Sequence, residues 1–417
     1  MGEAAPRDAS ATTPHSGARF VLVLAVLAGG GHLFSVWSRA PSFLGVDFAV
    51  YRLAAQAALD GGPVYAVAPA VAPEFTFLYP PIAVLPFLPF ALLSQPVGFA
   101  VFTGLNLAAG LALGVLVWRY VEAHGVDLTR VDRLLLAAVC LVSSYRIGSV
   151  FYGQVNVYLA LSLAVGFVAL ERDREWLSGT AFAIPAFVKV FPAVVGVWLL
   201  RRRAWRGVAA AVVTGIGLHL LGLLVFGPDL VATYLDVVLH ERTGIEAFRG
   251  GLPIDATYMT LRRATSHLFP TAGSGVHAAA AFALLAPPVA FCYRDVSTHS
   301  RRLTAAFATV VGLLLFFPSY QVYVVYALFP LLPLLYLFPT TDPFRRPRQL
   351  FLAGAALSTA AASAGTLLAW LATVPAVGGG LATVLRPLFT LASPTTCGLV
   401  LAVLACVWLH SLAESGQ

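Results

Sequence analysis

Apolar runs of roughly 18–22 residues recur along almost the whole chain, each long enough to cross a hydrocarbon core of ~30 Å. A water-soluble domain carries about a quarter charged residues. Here 11% of the 417 residues are charged and 59% are hydrophobic. The sequence therefore specifies an all-α polytopic membrane protein. Spans are read near 20–37, 77–95, 97–118, 133–150, 155–170, 178–200, 207–226, 276–293, 303–318, 321–338, 350–374 and 393–412, about twelve in all. They form a single transmembrane domain over 20–412, without an internal repeat. The segment 77–95 holds four prolines and is equally compatible with a stretch that dips in and returns. Residues 1–19 are polar and read as a disordered tail, and 413–417 as a short second tail. The run from Phe20 lacks a convincing cleavage site and reads as an uncleaved first helix.

The densest short basic clusters, Arg7 with Arg19, RRRAWR (201–206), RDVSTHSRR (294–302) and FRRPR (344–348), share one side if the N-terminus is cytoplasmic. The charge bias of short loops then places both termini in the cytoplasm of a cell membrane. A net charge of +7 fits contact with anionic lipid, and no nucleic-acid motif is present. The four cysteines lie in or beside apolar runs, without metal-ligand spacing. On this topology two outer loops stand out, 38–76 and 227–275. The first contains VDFAVYRLAAQAALDGG, a helical pattern ending at Gly61-Gly62-Pro63 that suits a helix lying at the membrane surface. The second opens on the amphipathic DLVATYLDVVLHERTG and closes on DATYMTLRRATSH, which brings Arg262 and Arg263 toward the next span.

DFAVYR (47–52), GGPVY (61–65), FLYPPIAVLPFLPFALL (77–93), GQVNVYLALSLA (153–164) and AFVKVFPAVVGVWLLRRR (186–203) stand in an order that resembles glycosyltransferase family 87, within the GT-C class of integral-membrane glycosyltransferases. The resemblance covers roughly 40–205, with a weaker echo near 250–330. It implies a GT-C-type bundle and transfer of a hexose, mannose in that family, from a polyprenyl phosphate donor to a lipid-linked or envelope glycan on the outer face. Inversion at the anomeric carbon needs a general base for the acceptor hydroxyl and a positive environment for the departing phosphate. No nucleotide-binding loop is needed for such a donor, and none is found.

Asp47 is the carboxylate that the resemblance makes the catalytic base; the alternative is a surface or capping aspartate at a helix start. Many GT-C enzymes pair two acids in this loop, whereas Asp47 has no adjacent partner and Asp60 reads as structural. Arg52 and Tyr51 follow the base, and Arg52 suits either a donor phosphate or a lipid head group. Tyr79, before two prolines, is a donor-groove or interface aromatic. Gln154 and Asn156 are polar amides at a helix start; they line the cavity if that helix end faces it, and Asn156 has a capping role open to it. On the topology above this turn is cytoplasmic, which opposes contact with an outward-facing donor.

Lys189 is the only lysine, against 25 arginines, and stands between Pro185 and Pro192 in mid-span. A lysine there costs about 2.5–3.5 kcal/mol to insert, so it needs a partner or a wet cavity. Two roles are open: neutralising the donor phosphate, or pairing with carbonyls freed by the prolines. Near 318–323 family relatives carry histidines, where this chain has Tyr320, Gln321 and Tyr323. Tyr320, Tyr323 and Arg262 are expected to line the cavity, while His240 and His267 read as plain loop residues. No transition metal or cofactor is expected, although a divalent cation bridging Asp47 and phosphate oxygens is compatible with these residues. A lipid-linked-sugar flippase or other transporter, or a non-catalytic subunit of an envelope-assembly complex, are the competing readings.

Overall fold

The structure is a computed structural model that describes residues 15–240, 248 and 250–414, with the side chains of 238–240 and 413–414 left aside. Among the described residues the chain is helical throughout, and its one β-contact is an isolated bridge between Tyr258 and Tyr320. Five helices are long and apolar enough to cross a membrane: Ser16–Arg39, Gln95–Ala123, Trp205–Val237, Ser274–Cys292 and Pro394–Leu412. Among the described residues the other expected spans fall on shorter helices, on broken segments or, for 303–318, on the 18-residue helix His299–Phe316. The first helix begins at Ser16 and so takes in the last four residues of the segment expected to be disordered. Residues 1–14 and 415–417 of the expected tails lie outside the described residues.

Contacts sort the helix ends into two groups. At one end Arg19 pairs with Asp132 at 2.8 Å, Arg302 with Glu171 at 3.1 Å and Arg133 with Glu122 at 2.6 Å. Arg201 Nε there donates to the Tyr293 carbonyl at 3.0 Å, and the Tyr336 hydroxyl donates to Asp132 at 3.3 Å. Arg19 and the clusters around 201–206, 294–302 and 344–348 thus gather at one end, as their sequence grouping predicts. The opposite end carries the loop 38–76, the turn around Gln154, Lys189 and the stretch 253–263.

Two expected spans differ in a compensating way. The segment 77–95 does not cross. Its start is tied to helix Val46–Leu59 by the Tyr51 and Tyr79 hydroxyls at 3.1 Å, and its end by Arg52 Nε donating to the Leu93 carbonyl at 2.9 Å. Tyr51 and Arg52 are adjacent, so the segment leaves and returns at one level. Its prolines remove backbone donors and leave a 3₁₀ turn, Pro81–Phe87, followed by the single helical turn Leu88–Ala91. The segment 178–200, by contrast, is two limbs rather than one. Helix Glu175–Lys189 runs away from the basic end and stops at Val190, which adopts a left-handed φ of 53°. The chain returns through a 3₁₀ turn, Phe191–Gly196, begun by Pro192, and the short helix Val197–Arg201. The backbone N–H of Arg206 then donates to Glu175 Oε2 at 3.0 Å, closing the hairpin at its feet.

The first difference moves the Gln154 turn to the Asp47 end, correcting its expected cytoplasmic position. The second restores the register of every later segment. Nearest the site end, residues 350–374 also break. Helix Arg345–Ser358 gives way to a turn and then to two helices, Ala364–Ala372 and Gly378–Leu391, that form a small satellite core with Ile254. Arg263, buried, staples this hairpin by donating to the carbonyls of Thr390 (2.9 Å), Ala256 (2.8 Å) and Ile254 (3.0 Å).

Candidate active site

Helix Val46–Leu59 begins just after Gly45, whose φ of 71° makes the turn into it. The Gly45 N–H donates to the Phe151 carbonyl at 2.8 Å, which fastens the helix start to the segment before Gln154. Gly153 supplies the other half of the approach. Its φ is 75°, and a Cβ there would lie 2.7 Å from Cβ of Phe48. Only glycine lets these backbones meet so closely, and the result is a 2.7 Å hydrogen bond from Gln154 Nε2 to Asp47 Oδ2. The glycine, the glutamine and the asparagine of GQVN therefore act together on the aspartate of DFAVYR. Asn156 is fully buried and donates to Gln154 Oε1 at 2.6 Å, Tyr326 donates to Asn156 Oδ1 at 2.8 Å, and Asn106 donates to the Gln154 carbonyl at 2.8 Å.

Asp47 opens onto a cavity of about 570 Å³ at the site end. Tyr51, Tyr79, Gln154, Tyr320 and Tyr323 line it, as do His32, Glu74, Tyr152, Ser363 and Thr395. Lys189, at the apex of the hairpin, lies behind two of the lining rings. Its Nζ is 4.4 Å from the Tyr323 centroid and 5.6 Å from that of Tyr79, within cation–π range. Among the described residues its Nζ makes no hydrogen bond to a backbone carbonyl, so the carbonyl-pairing role is not what the geometry displays. Burial raises the Asp47 carboxyl above its ordinary value, while the Gln154 hydrogen bond and the Lys189 charge pull the other way. Asp47 thus sits where an amide and a cation stabilise its charged form and low polarity makes it more basic than a surface aspartate.

Other expected site residues stand elsewhere. Arg52 turns away from the cavity, holding the Leu93 carbonyl and Gln56 Oε1 (3.3 Å). Asn156 lies one layer behind the wall. Arg262 stacks on Phe316 with its guanidinium carbon 4.7 Å from the ring centroid, outside the cavity lining. His267 contacts the Leu252 carbonyl at 2.7 Å, and the side chain of His240 lies outside the described residues. His32, in the middle of the first span, and Glu74, in the poorly patterned end of the first outer loop, went unmarked in the sequence. A lone His within an apolar run was a signal that could have found the former, as buried polar residues of membrane helices commonly face a cavity.

Folding also assembles His124, Glu171 and His299 at the basic end, with ligand atoms within 4.8 Å of one another. Spacing alone did not reveal this group. Arg302 already donates to Glu171 at 3.1 Å and contacts His299 Nδ1, so a guanidinium occupies ligand atoms of two of the three. The group lies at the end of the bundle opposite Asp47.

An all-helical membrane bundle with a carboxylate, an ammonium held on aromatic faces and a tyrosine-rich cavity at one end defines an integral-membrane protein with its candidate site at that end. The chain belongs to glycosyltransferase family 87, which matches residues 77–318. It is similar to a polyprenol-phosphate-mannose-dependent alpha-(1-2)-phosphatidylinositol mannoside mannosyltransferase of Mycobacterium tuberculosis (strain ATCC 25618 / H37Rv), 28% identical over 217 residues, 48% of this chain and 50% of the relative. It is also similar to a polyprenol-phosphate-mannose-dependent alpha-(1-2)-phosphatidylinositol pentamannoside mannosyltransferase of Mycolicibacterium smegmatis (strain ATCC 700084 / mc(2)155), 34% identical over 171 residues, 40% of each chain. The chain spans about half the length of these curated relatives, or less. No solved structure matches it.

Proposed function

We propose that the protein transfers a hexose, mannose by its similarity to the relatives above, from a polyprenyl phosphate to a hydroxyl of a glycolipid or envelope glycan, with inversion. The observation that carries this reading is the pairing of Asp47 with Gln154 at 2.7 Å on the wall of the cavity that Lys189 backs. Asp47 removes the acceptor hydroxyl proton as that oxygen attacks the anomeric carbon. The bond from that carbon to the phosphate oxygen breaks, and the leaving phosphate gains negative charge beside Lys189. Neither Arg52 nor Arg262 faces the cavity, which leaves Lys189 as its closest fixed cation among the described residues. Tyr51, Tyr79 and Tyr323 supply hydroxyls and faces for the sugar and phosphate. The basic end faces the cytoplasm and the cavity faces outward across the cell membrane, in keeping with the clustering of short arginine-rich loops.

The test is donor consumption. The full chain in nanodiscs is given polyprenyl-phosphate-mannose or polyprenyl-phosphate-glucose with a membrane glycolipid extract. Release of polyprenyl phosphate with label moving into glycolipid is the expected result. Movement of labelled donor across a liposome bilayer without any release identifies a flippase instead.

A further inference from the structure

The hydrogen bonds behind Asp47 share one direction. Tyr326 donates to Asn156 Oδ1 (2.8 Å), Asn156 Nδ2 to Gln154 Oε1 (2.6 Å), and Gln154 Nε2 to Asp47 Oδ2 (2.7 Å). Tyr326 is 2% exposed and Asn156 0%, so water does not compete for these atoms. Ser149 adds a second donor to Gln154 Oε1 at 3.2 Å. An amide presents oxygen or NH₂ to a neighbour with little difference in shape. Only its partners decide which end faces Asp47, and the wrong end sets an oxygen against a carboxylate.

We propose that Asn156 is a positioning residue for the transfer reaction: by donating to Gln154 Oε1 it fixes the amide so that NH₂ faces Asp47 and occupies Oδ2, leaving Oδ1 for the acceptor hydroxyl. This rests on the transferase reading above. Among the described residues Gln154 is the one hydrogen-bond partner of Asp47, so Oδ1 has no protein donor. Asn156 is not part of the cavity lining and acts through Gln154, which is. Donors aligned in a chain polarise one another, so each bond strengthens the next. The other ionisable groups facing Asp47 are Tyr51 on its own helix, Tyr79 and Tyr323 across the cavity, Tyr152 on the adjoining segment and Lys189 on the hairpin. Glu74 and His32 line the same cavity, and the Asn156 variants leave Lys189 and both of these in place.

Asn156→Leu removes the donor without adding a titrating group. The acid limb of kcat/KM moves up by about one pH unit, because a carboxylate that loses a donor holds its proton to higher pH. Near the limb, kcat falls about tenfold while the donor KM stays within twofold. Tyr326→Phe keeps Asn156 and removes only the outer link, so it moves the limb the same way by a few tenths of a unit; it serves as the second variant should Asn156→Leu fold poorly. Independently of turnover, infrared titration of the Asp47 carboxyl, isolated by subtracting Asp47→Asn, gives a midpoint that rises in both variants. Unshifted limbs and midpoints in both overturn the proposal, as does a loss of rate that is uniform across pH. A wild type that releases no polyprenyl phosphate sinks the transferase reading, and the infrared midpoint still decides the role of Asn156.

Discussion

The two ends of the bundle treat charge in opposite ways. At the basic end acids and bases touch: Asp132 meets Arg19, Glu171 meets Arg302, Glu122 meets Arg133, and Asp295 meets Arg301. At the other end Asp47 bonds to a neutral amide, and Lys189 rests on aromatic faces with no salt bridge among the described residues. Charges joined to each other are spent on holding helices together. Charges kept apart across a cavity remain available to a substrate, at a cost in folding energy. On the reading proposed above, the difference separates structural acids and bases from chemical ones.

That contrast is most exposed to failure at Asp47. Asp47→Asn is expected to lower turnover by about 10³-fold, within the span of general-base losses. Full turnover in this variant would erase the distinction between the ends. The same substitution is expected to leave the thermal midpoint at neutral pH unchanged or raised. Folding raises the Asp47 carboxyl above its ordinary value, so the fold favours the neutral form. The contribution is present at low pH and is lost as pH rises through the raised value, leaving a cost at neutral pH that asparagine does not incur. A marked fall in midpoint would place Asp47 with the structural acids.

Lys189→Met is expected to cost about 10²-fold in kcat/KM for the donor. If thermal stability falls while donor kinetics stay put, the ammonium serves the hairpin instead. The wild-type pH profile follows from the same carboxyl: kcat/KM rises with pH through a midpoint above the ~4 of a free aspartate, because only the charged form accepts a proton. The paired end gives smaller effects of another kind. Asp132→Ala removes both the Arg19 pair and the cap it forms with Thr129, and is expected to cost roughly 1–2 kcal/mol of stability, since Arg19 is partly exposed. Activity per folded molecule is expected to persist, checked by thermal unfolding alongside turnover. Arg52→Met comes last, with about 1 kcal/mol of stability lost and an unaltered donor KM.

Much of this contrast was legible in the sequence. Asp47, Tyr51, Tyr79, Gln154, Tyr320 and Tyr323 were all marked, and the structure brings them to one cavity. Arg52 was misleading because a cation beside an acid in sequence points elsewhere on a helix: Asp47 and Arg52 are five residues apart, about 500° of turn at 3.6 residues per turn. The turn at 153–156 was placed at the wrong end because hydropathy counts apolar residues and is blind to reversal. In 77–95 the prolines gave warning, since four missing donors cannot sustain a spanning helix. In 178–200 the warning was weaker, because Pro192 alone does not show that Val190 will turn the chain back. His32 and Glu74 carried no periodic or motif signal, and their place on the cavity wall depends on how distant segments pack.

The hairpin that carries Lys189 also sets a depth. Its feet bear Arg172, Arg174 and Arg201 to Arg203, side chains that settle at head-group level. From there, helix Glu175–Lys189 with its 15 residues climbs only about 22 Å at the helical rise, short of the ~30 Å hydrocarbon thickness. The ammonium therefore stands short of a full bilayer crossing from those arginines. A phosphate that reaches it leaves most of its hydration behind, and the pull between the two charges strengthens several-fold over its value in bulk water. On the proposed transfer reaction, membrane thickness thereby becomes a variable, since thicker lipid would lengthen the descent of a lipid-linked donor.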